Sequence, residues 1–238
     1  MGYGVGEVAR AGVEKIYQLD VVSNNLANTA TPGFKVERYC PGVTREDSNT
    51  KEVLNQDMAF TMVDYSQGMM QKTDNALDVA IQGEGFFTVQ TGQGTAYTRK
   101  GNFTINKNGQ LITQTGELVL GDKGRPITIT GKNIDIDHVG NVTVDGAESG
   151  KLQIARFENP QVLTRTRDGL FRDPGAAGMK RMDNPEIKPR QLEMSNVNVI
   201  KEMVEMMDIQ RSFESYQKVI LTITDLDKLA ISRVGKLT

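Results

Sequence analysis

Residues 19–35 read LDVVSNNLANTATPGFK, a helix-forming half followed by residues that form helices poorly. Leu19, Val22 and Leu26 lie at helical spacing, whereas Asn, Thr, Pro and Gly dominate the positions that come next. The residue before a proline avoids the helical region, and glycine permits a tight turn. The Pro-Gly pair at 32–33 therefore predicts that the helix has ended and that the chain turns away from it.

Three asparagines, Asn24, Asn25 and Asn28, stand in the last turns of this predicted helix. An asparagine at a packed helical interface lowers stability but fixes register and partner, because its amide must find a hydrogen bond. The alternative is that these residues only fray the helix end, and for Asn28 that alternative stays open. After the turn, Phe34 is expected to dock on a neighbouring helix or on the next domain.

The same apolar repeat extends back toward the N-terminus and returns at the other end of the chain. Steps of three and four residues over 5–28 predict an amphipathic helix close to a coiled-coil heptad, and the period returns from Asn196 for nearly forty residues. Two such stripes are buried most simply against each other or against copies from other subunits. An isolated helix of this length is marginal in water, so we expect both ends to be largely disordered in the free monomer. The stripe residues are Val5, Val8, Gly12, Ile16, Leu19, Val22 and Leu26, then Val199, Met203, Met206, Phe213, Ile220, Leu226 and Leu229.

The start of the C-terminal helix carries capping residues. Ser195, Asn196 or Asn198 can cap it, and Glu202 lies in the first turn, where the helix dipole favours an acid. Its methionine-rich stretch, 202–210, is either an ordinary helix core or an adaptable partner-binding face.

The middle of the chain has the composition of an antiparallel β domain. Residues 77–157 contain short β-branched or aromatic runs, separated by Gly, Asn and Asp. NKNGQ (106–110) and HVGN (138–141) predict tight hairpin turns. Residues 158–194 hold four of the seven prolines and are expected to form loops with edge strands. The segment 36–76 is predicted to be a mixed connector.

The composition narrows the class of protein. The chain has 238 residues, 38% of them apolar, and its net charge of −2 argues against a basic nucleic-acid surface. The single cysteine, Cys40, excludes an internal disulfide and a CxxC metal site. No stretch reaches the ~18 apolar residues of a membrane span. Glu7 and Glu14 interrupt the region that a cleaved secretory signal keeps apolar, so we expect no such signal.

The sequence contains few residues or motifs that are typical of a catalytic site. His138 is the only histidine, and its strand-to-turn position favours a solvated side chain over a metal ligand. QGEGFF (82–87) lacks the third glycine and the following helix of a nucleotide-binding loop, so its glycines are expected to let a strand bend or pack closely. We therefore predict no catalytic residue, no cofactor, no metal, no small-molecule substrate and no nucleic-acid partner.

These observations predict an α+β fold, in which N- and C-terminal helices pair as a coiled-coil domain around an inserted, mainly antiparallel β domain. The predicted coiled-coil domain comprises 1–35 and 195–238, the connector 36–76, and the β-rich domain 77–194.

Three segments resemble the bacterial flagellar axial proteins, the rod and hook family. SNNLANTATPGFK (23–35) is similar to the family's Asn-Asn-x-Ala-Asn signature and the turn after it. LDVAIQGEGFFTVQTGQGTAYTRKGNFTINKNGQL (77–111) is similar to the opening of its β domain, with the Gly-x-Gly-Phe-Phe and Tyr-Thr-Arg-x-Gly elements intact. LEMSNVNVIKEMVEMMDIQRSFESYQKVI (192–220) resembles its Ser-Asn-Val-Asn helix. The three occur in the family's order.

The resemblance implies a structural subunit of the periplasmic rod, or drive shaft, of the basal body. It implies helical polymerisation through the terminal helices, with copies of itself and other rod proteins as partners, and export by the flagellar type III machinery without a cleaved signal. The short connector, the run at 120–128 and DGLFR (168–172) favour the proximal (F-type) branch, and the distal (G-type) branch is the alternative.

The expected subunit-interface residues lie in the two helical signatures. They are Leu19, Val22, Asn24, Asn25, Leu26, Asn28, Pro32, Gly33, Phe34, Asn196, Val197, Asn198, Val199, Met203, Met206, Gln210, Arg211, Phe213 and Ile220. A rival interpretation is a secreted β-domain binding module whose helices merely dimerise; an enzyme would need a pocket with perturbed ionisable groups.

Overall fold

The computed structural model describes residues 2–41, 45–46, 53–54, 60–166 and 168–234, and within them the fold is α+β. The helices are α1 (Gly2–Ala27) and α2 (Val199–Val234), and Pro160–Val162 forms a short 3-10 helix. The strands are β1 (Glu37–Cys40), β2 (Arg45–Glu46), β3 (Val53–Leu54), β4 (Phe60–Val63), β5 (Met70–Lys72), β6 (Val79–Gln82), β7 (Phe86–Thr91), β8 (Gly94–Thr98), β9 (Thr104–Ile105), β10 (Leu111–Ile112), β11 (Leu118–Val119), β12 (Ile134–Ile136), β13 (Asn141–Val144), β14 (Ala147–Lys151), β15 (Ile154–Phe157), β16 (Thr164–Arg165), β17 (Phe171–Arg172), β18 (Met179–Met182), β19 (Glu186–Pro189) and β20 (Gln191–Glu193).

The chain divides into two units. The first takes its described residues from Met1–Ala27, Glu37–Met62 and Asn198–Thr238, and the second from Asn28–Val36 and Val63–Val197. Both helices therefore belong to the first unit although they lie at opposite ends of the sequence. The Pro-Gly turn after α1 belongs to the second unit, together with most of the β-strands.

In the first unit, α1 and α2 run antiparallel to each other. Asn25, near the end of α1, hydrogen-bonds Glu202 in the first turn of α2, and Lys15 lines the same groove as Ser212 farther along α2. Such a pair is stabilised mainly by packing of its inward faces rather than by helix propensity.

Among the predicted stripe positions whose side chains the structure describes, the inward face of α1 differs from the prediction at one; Val5 lies outside these positions. Ile16 is 44% exposed, and the half-buried Lys15 takes its place in the repeat. A seven-residue repeat that has Gly12 at one of its two core positions has residues 15 and 22 at the other. The buried Val22 agrees with this repeat. Lys15 is tolerated there because its apolar stem can lie along the seam while its ammonium donates to Gln18 Oε1 over 2.9 Å.

The predicted stripe of α2 is correct for the half-buried Met206, Phe213 and Ile220. Four other positions are exposed in the single chain, so they do not pack on α1, and of the two expected modes of burial only packing against another subunit applies to them. The inward face begins at Glu202 and continues through the buried Ile209, so its register differs from the predicted one. These four exposed residues are Val199, Met203, Leu226 and Leu229.

The second unit is built on an antiparallel sheet around β7. One edge of β7 pairs with β8, and its other edge is shared by β15 and β11. The strand order is β16-β17-β8-β7-β11-β10-β9, with β18 beside β15. This central strand fills its positions with FFTVQT, whose first four residues are all buried. A strand that is covered on both faces needs such a continuous apolar run.

Two hydrophobic clusters fill the second unit. The larger one surrounds Phe87, which stacks edge-to-face on Phe103 with 5.1 Å between ring centroids. The smaller one is aromatic and surrounds Phe86, whose ring contacts those of Phe157 and Phe171. The adjacent residues of β7 thus serve different clusters, because successive side chains of a strand point to opposite faces.

Both predicted hairpin turns are confirmed. In NKNGQ, Asn106 N donates to Gln110 O, and Gly109 has φ +73° between β9 and β10. In HVGN, Gly140 has φ +90° between β12 and β13. Glycine is favoured at both positions because L-residues rarely adopt a positive φ.

The segment 158–194 is richer in strands than predicted. It contains β16 to β20, and β17 is an interior strand of the main sheet between β16 and β8. The prediction was based on the prolines of this segment, which usually interrupt strands. Pro189 is compatible with β19 because it is the last residue of that strand and pairs with Val79 at an edge that tolerates a missing N–H donor.

Gly101, in the Tyr-Thr-Arg-x-Gly element, lies directly against the backbone of β6. A Cβ at this position would overlap the carbonyl oxygen of Val79 and press on the Phe87 ring. Gly101→Ala is therefore expected to lower the free energy of unfolding by about 1–3 kcal/mol, because neither backbone nor core ring can move freely. Urea denaturation followed by circular dichroism measures this. Gly92→Ala is the control, since a Cβ there meets nothing within 4 Å; equal effects of the two changes would contradict the close packing.

Candidate assembly site

The side chain of Asn25 is buried inside the first unit. Its exposed fraction is 1%, and its Nδ2 donates to the Glu37 carbonyl oxygen over 2.8 Å and to Glu202 Oε2 over 3.0 Å. Its Oδ1 accepts from the Glu37 amide over 2.9 Å. One amide thus joins the end of α1, the start of β1 and the first turn of α2. The expected demand of a packed asparagine for hydrogen bonds is satisfied within the chain.

The other two asparagines of the signature differ from Asn25. Asn24 is exposed, and the half-buried Asn28 accepts a hydrogen bond from the Thr31 hydroxyl at 3.1 Å. Asn28 also follows the last residue of α1, and its carbonyl accepts from the Thr31 amide. Asn28 thus takes part in the turn that ends α1.

Residues 31–36 dock on the β strands of the second unit. Half-buried Pro32 precedes Gly33, which has φ +68° and donates its amide to the Glu193 carbonyl over 2.7 Å. Phe34 is 3% exposed, and the Arg165 guanidinium lies 4.1 Å from its ring centroid. Of the two docking sites expected for Phe34, the structure shows the β domain.

A buried ion cluster stands beside this turn. Lys35 Nζ lies 2.5 Å from Glu193 Oε1, and Arg99 Nη1 lies 3.5 Å from Glu193 Oε2. The three residues are 1–4% exposed. Burial lowers the pKa of Lys35 from its usual value, and the Glu193 carboxylate opposes that shift. Each of the three family-like segments contributes one residue to this cluster. Lys35 comes from 23–35, Arg99 from 77–111 and Glu193 from 192–220.

Backbone groups supply further hydrogen bonds to the cluster. Lys35 Nζ also donates to the Ser66 carbonyl over 2.7 Å, and the Gly68 amide donates to Glu193 Oε1 over 3.0 Å. Arg99 Nη2 donates to the Gly83 carbonyl over 2.7 Å. Buried charges are tolerated only when they are paired and hydrogen-bonded in this way.

Asn196 connects three segments of the second unit. Its Oδ1 accepts from the Val36 amide over 2.8 Å, and its Nδ2 donates to the carbonyls of Asp64 and Ser66. The Asp64 amide in turn donates to the Val36 carbonyl. We call residues 31–36, 63–69 and 193–197 the clasp. The chain passes between its two units at the borders of these segments.

The remaining candidate residues lie in α1 or in and next to α2. Asn198 caps the helix, because its Oδ1 accepts from the Lys201 amide over 3.1 Å. Leu19, Leu26, Val197, Met206, Phe213 and Ile220 are half-buried, Val22 is buried, and Val199, Met203, Gln210 and Arg211 are exposed.

Four residues of these networks were missing from the predicted set. Lys35, Arg99, Glu193 and Glu202 are charged residues that look like solvated surface in the sequence. Their position inside the family-like segments was the one available signal. They are buried because they pair with residues more than 60 positions away in the chain. Local periodicity carries no information about such distant pairs.

The part of the chain that the structure describes contains no cluster of His, Cys, Asp and Glu that could hold a metal ion. Neither helix has, in its described part, an apolar window long enough to cross a membrane. His138 lies at a turn, where its Nδ1 is 3.2 Å from the Ile187 carbonyl oxygen.

Comparison with known proteins agrees with the geometry. Three family descriptions match: "Flagella basal body rod protein" at 17–35, "Flagellar hook protein FlgE/F/G D1 domain" at 80–144, and "Flagellar basal body rod FlgEFG protein C-terminal" at 189–233. The first match includes Asn25 and Lys35. The second includes Arg99, and the third includes Glu193 and Glu202.

Full-length relatives extend this result. The chain is 34% identical to the flagellar basal-body rod protein FlgF of Caulobacter vibrioides, over 92% of this chain and 93% of that protein. It is 33% identical to FlgG of Buchnera aphidicola, over 94% and 97%, and 33% identical to FlgG of Bacillus subtilis, over 88% and 90%. The chain therefore belongs to the flagellar basal-body rod protein family.

Proposed function

We propose that this chain is a structural subunit of the proximal part of the flagellar rod, where it polymerises helically through α1 and α2. A structural role in the rod, and not an enzymatic one, is the role of its family. The finer assignment to the proximal rod, the helical polymer and the periplasmic drive shaft is our proposal.

The observation that carries the proposal is the apolar surface that α1 and α2 leave exposed in one chain. Ile200 is 77% exposed, and Tyr17 on α1 is 59% exposed. Large apolar side chains clustered at the surface mark protein–protein contacts. We propose that α1 and α2 pair as a coiled coil and that both signature segments contribute to contacts between subunits.

The residues proposed for those contacts now fall into two groups. Exposed members, such as Met203 and Arg211, can reach a neighbouring subunit directly. Buried members, such as Asn25 and Phe34, act by holding the helices and the turn in one conformation. A subunit whose own segments are fixed in this way presents a single contact geometry to its neighbours.

The proximal assignment rests on sequence features, because relatives of both types match equally well. The run at 120–128, DGLFR at 168–172 and the short connector support the F-type rod protein. The distal, G-type rod protein is the second candidate, and several FlgG relatives cover most of the chain. Export by the flagellar type III machinery without a cleaved signal is part of the proposal.

Complementation tests the assignment. The gene should restore rod completion and motility to cells that lack the proximal F-type protein, and should fail in cells that lack the distal G-type protein. Electron microscopy of basal bodies measures the outcome. Deletion of the gene for this chain should leave a rod that stops at its proximal part. Restoration of only the distal mutant would favour the second candidate, and restoration of neither would contradict both.

A further inference from the structure

The second unit contains a cavity of about 630 Å³ that the contacts between helices do not use. Its apolar walls are Tyr65, Phe86, Phe157 and Pro160. The rings of Phe86 and Phe157 meet edge-to-face, with 5.6 Å between their centroids. A cavity of this size, with apolar walls and a few polar groups, has the usual form of a binding site.

Arg99 is a buried polar residue in the lining of this cavity. Its exposed fraction is 4%, and its Cζ lies 5.2 Å from the centroid of the Phe86 ring. Its Nη2 donates to the Gly83 carbonyl over 2.7 Å. Its Nη1 lies 3.5 Å from both the Ile81 carbonyl oxygen and Glu193 Oε2, which is long for a hydrogen bond. Its Nε has no hydrogen-bond partner among the described residues, so the five donors of this guanidinium are only partly satisfied.

The ion cluster beside the cavity gives Arg99 only a distant counter-ion. The Glu193 carboxylate lies 2.5 Å from Lys35 but 3.5 Å from Arg99, so two cations share this carboxylate. Burial lowers the pKa of Arg99 from its usual value, and the Glu193 and Glu84 carboxylates oppose that shift without cancelling it. A buried charge is costly unless it is paired. A carboxylate placed in the cavity therefore stabilises the Arg99 guanidinium.

We propose that this cavity binds an acidic side chain that lies next to an apolar side chain on an extended segment of a protein partner. The carboxylate lies beside the Arg99 guanidinium, and the apolar side chain packs against the rings of Phe86 and Phe157. A charge-assisted contact in a site of low dielectric is about twice as strong as a neutral one, so the acid decides which segment binds. The site goes beyond the proposed function, because it lies among the β-strands and not on the helices.

The wall and the rim of the cavity favour a peptide over a small acid. A Cβ at Gly83 would meet nothing within 4 Å, so open space adjoins the backbone at that point of the wall. The rim carries two exposed ion pairs, which contribute little to stability. Their charged groups are therefore available to the amide and carbonyl groups of an extended chain. These pairs are Glu84–Arg156, at 2.6 Å, and Glu158–Lys180, at 2.5 Å.

Matched dipeptides test the site on the full chain. The probes are acetyl-Phe-Asp-amide and acetyl-Asp-Phe-amide, each compared with the peptide in which Asn replaces Asp. NMR follows the ring signals of Phe86 and Phe157 and the Nε–H signal of Arg99 during titration. The expected result is a saturable shift of all three signals with an acidic probe, at a Kd of about 1 mM. The matching amide probe should bind at least tenfold more weakly.

Substitutions of Arg99 separate charge from shape. Arg99→Met should abolish the preference for the acidic probe, whereas Arg99→Lys keeps a cation and should retain part of it. The control is Lys107→Met, which removes a charge from an exposed residue in the turn between β9 and β10. This variant should bind both kinds of probe as the native chain does. Contacts between the probe's ring and those of Phe86 and Phe157, detected as nuclear Overhauser effects in the native chain, locate the probe without any substitution.

Each contrary result overturns a specific part of the proposal. Equal binding of the acidic and amide probes would refute the part played by the charge of Arg99. Saturable binding that leaves Phe86 and Phe157 unperturbed would refute the location. Phenylacetate that binds as tightly as the dipeptides would identify a small acid as the occupant and overturn the protein partner. No saturable shift up to about 10 mM probe would overturn the site itself. Complementation tests the proposed function independently of all these results.

Discussion

Replacing Glu193 with alanine is expected to lower the free energy of unfolding of the second unit by about 3–5 kcal/mol. The change removes the carboxylate that Lys35 and Arg99 share and leaves two buried cations without their counter-ion. It also removes the acceptor of the Gly68 amide. The chain has no tryptophan, so amide hydrogen exchange along β7 under native conditions is the appropriate measurement.

A matched control separates burial from charge. Glu186 is exposed in the neighbouring strand β19 and lies 2.8 Å from Lys188, so Glu186→Ala should cost no more than about 1 kcal/mol. Pairwise coupling gives a further check: Lys35→Met with Glu193→Met should destabilise less than the sum of the two single changes. Equal losses for Glu193→Ala and Glu186→Ala would show that the cluster does not hold the clasp together.

Asn25→Leu is expected to destabilise the first unit by about 2–4 kcal/mol, because three hydrogen bonds of one buried amide disappear together. The loss leaves the Glu202 carboxylate, which is 3% exposed, and the Glu37 backbone groups without that partner. The β domain should stay folded, and the variant should give misassembled or non-specific aggregates instead of rods. Thermal unfolding of the helices and electron microscopy of basal bodies measure the two effects.

The neighbouring asparagine is the control. Asn24 is exposed, so Asn24→Leu should destabilise the first unit less than Asn25→Leu does. If Asn25→Leu were as stable as Asn24→Leu and assembled normally, the intrachain role of Asn25 would be refuted.

Much of the architecture was predictable from local patterns. The helical repeat predicts α1 and α2, and the Asn-Gly and Gly-Asn pairs predict two hairpins that the structure contains. Such patterns are reliable because backbone geometry and side-chain period act over a few residues. The registers of both helices were predicted less well: Ile16 is exposed where a buried residue was expected, since which side of a helix turns inward depends on its partner.

The polar networks show the limit of local reasoning most clearly. Lys35 and Glu193 are 158 residues apart, and Asn25 and Glu202 are 177 residues apart. In the sequence each is an ordinary polar residue whose default is a solvated surface. The interpretation of the asparagines as residues that demand a specific partner agrees with the contacts of Asn25, but the partner itself was not predictable.

The sequence by itself determined where the helices and hairpins form, that the chain ends resemble each other in period, and that catalytic and metal-binding residues are scarce. Tertiary structure alone decided that Lys35, Arg99 and Glu193 meet in one buried cluster, that Asn25 is satisfied within its own chain, and that the apolar faces at Tyr17 and Ile200 stay exposed. The physical reason is the range of the forces involved. Propensity and periodicity act between neighbours in the chain, whereas burial and ion pairing depend on which distant segments the fold brings together.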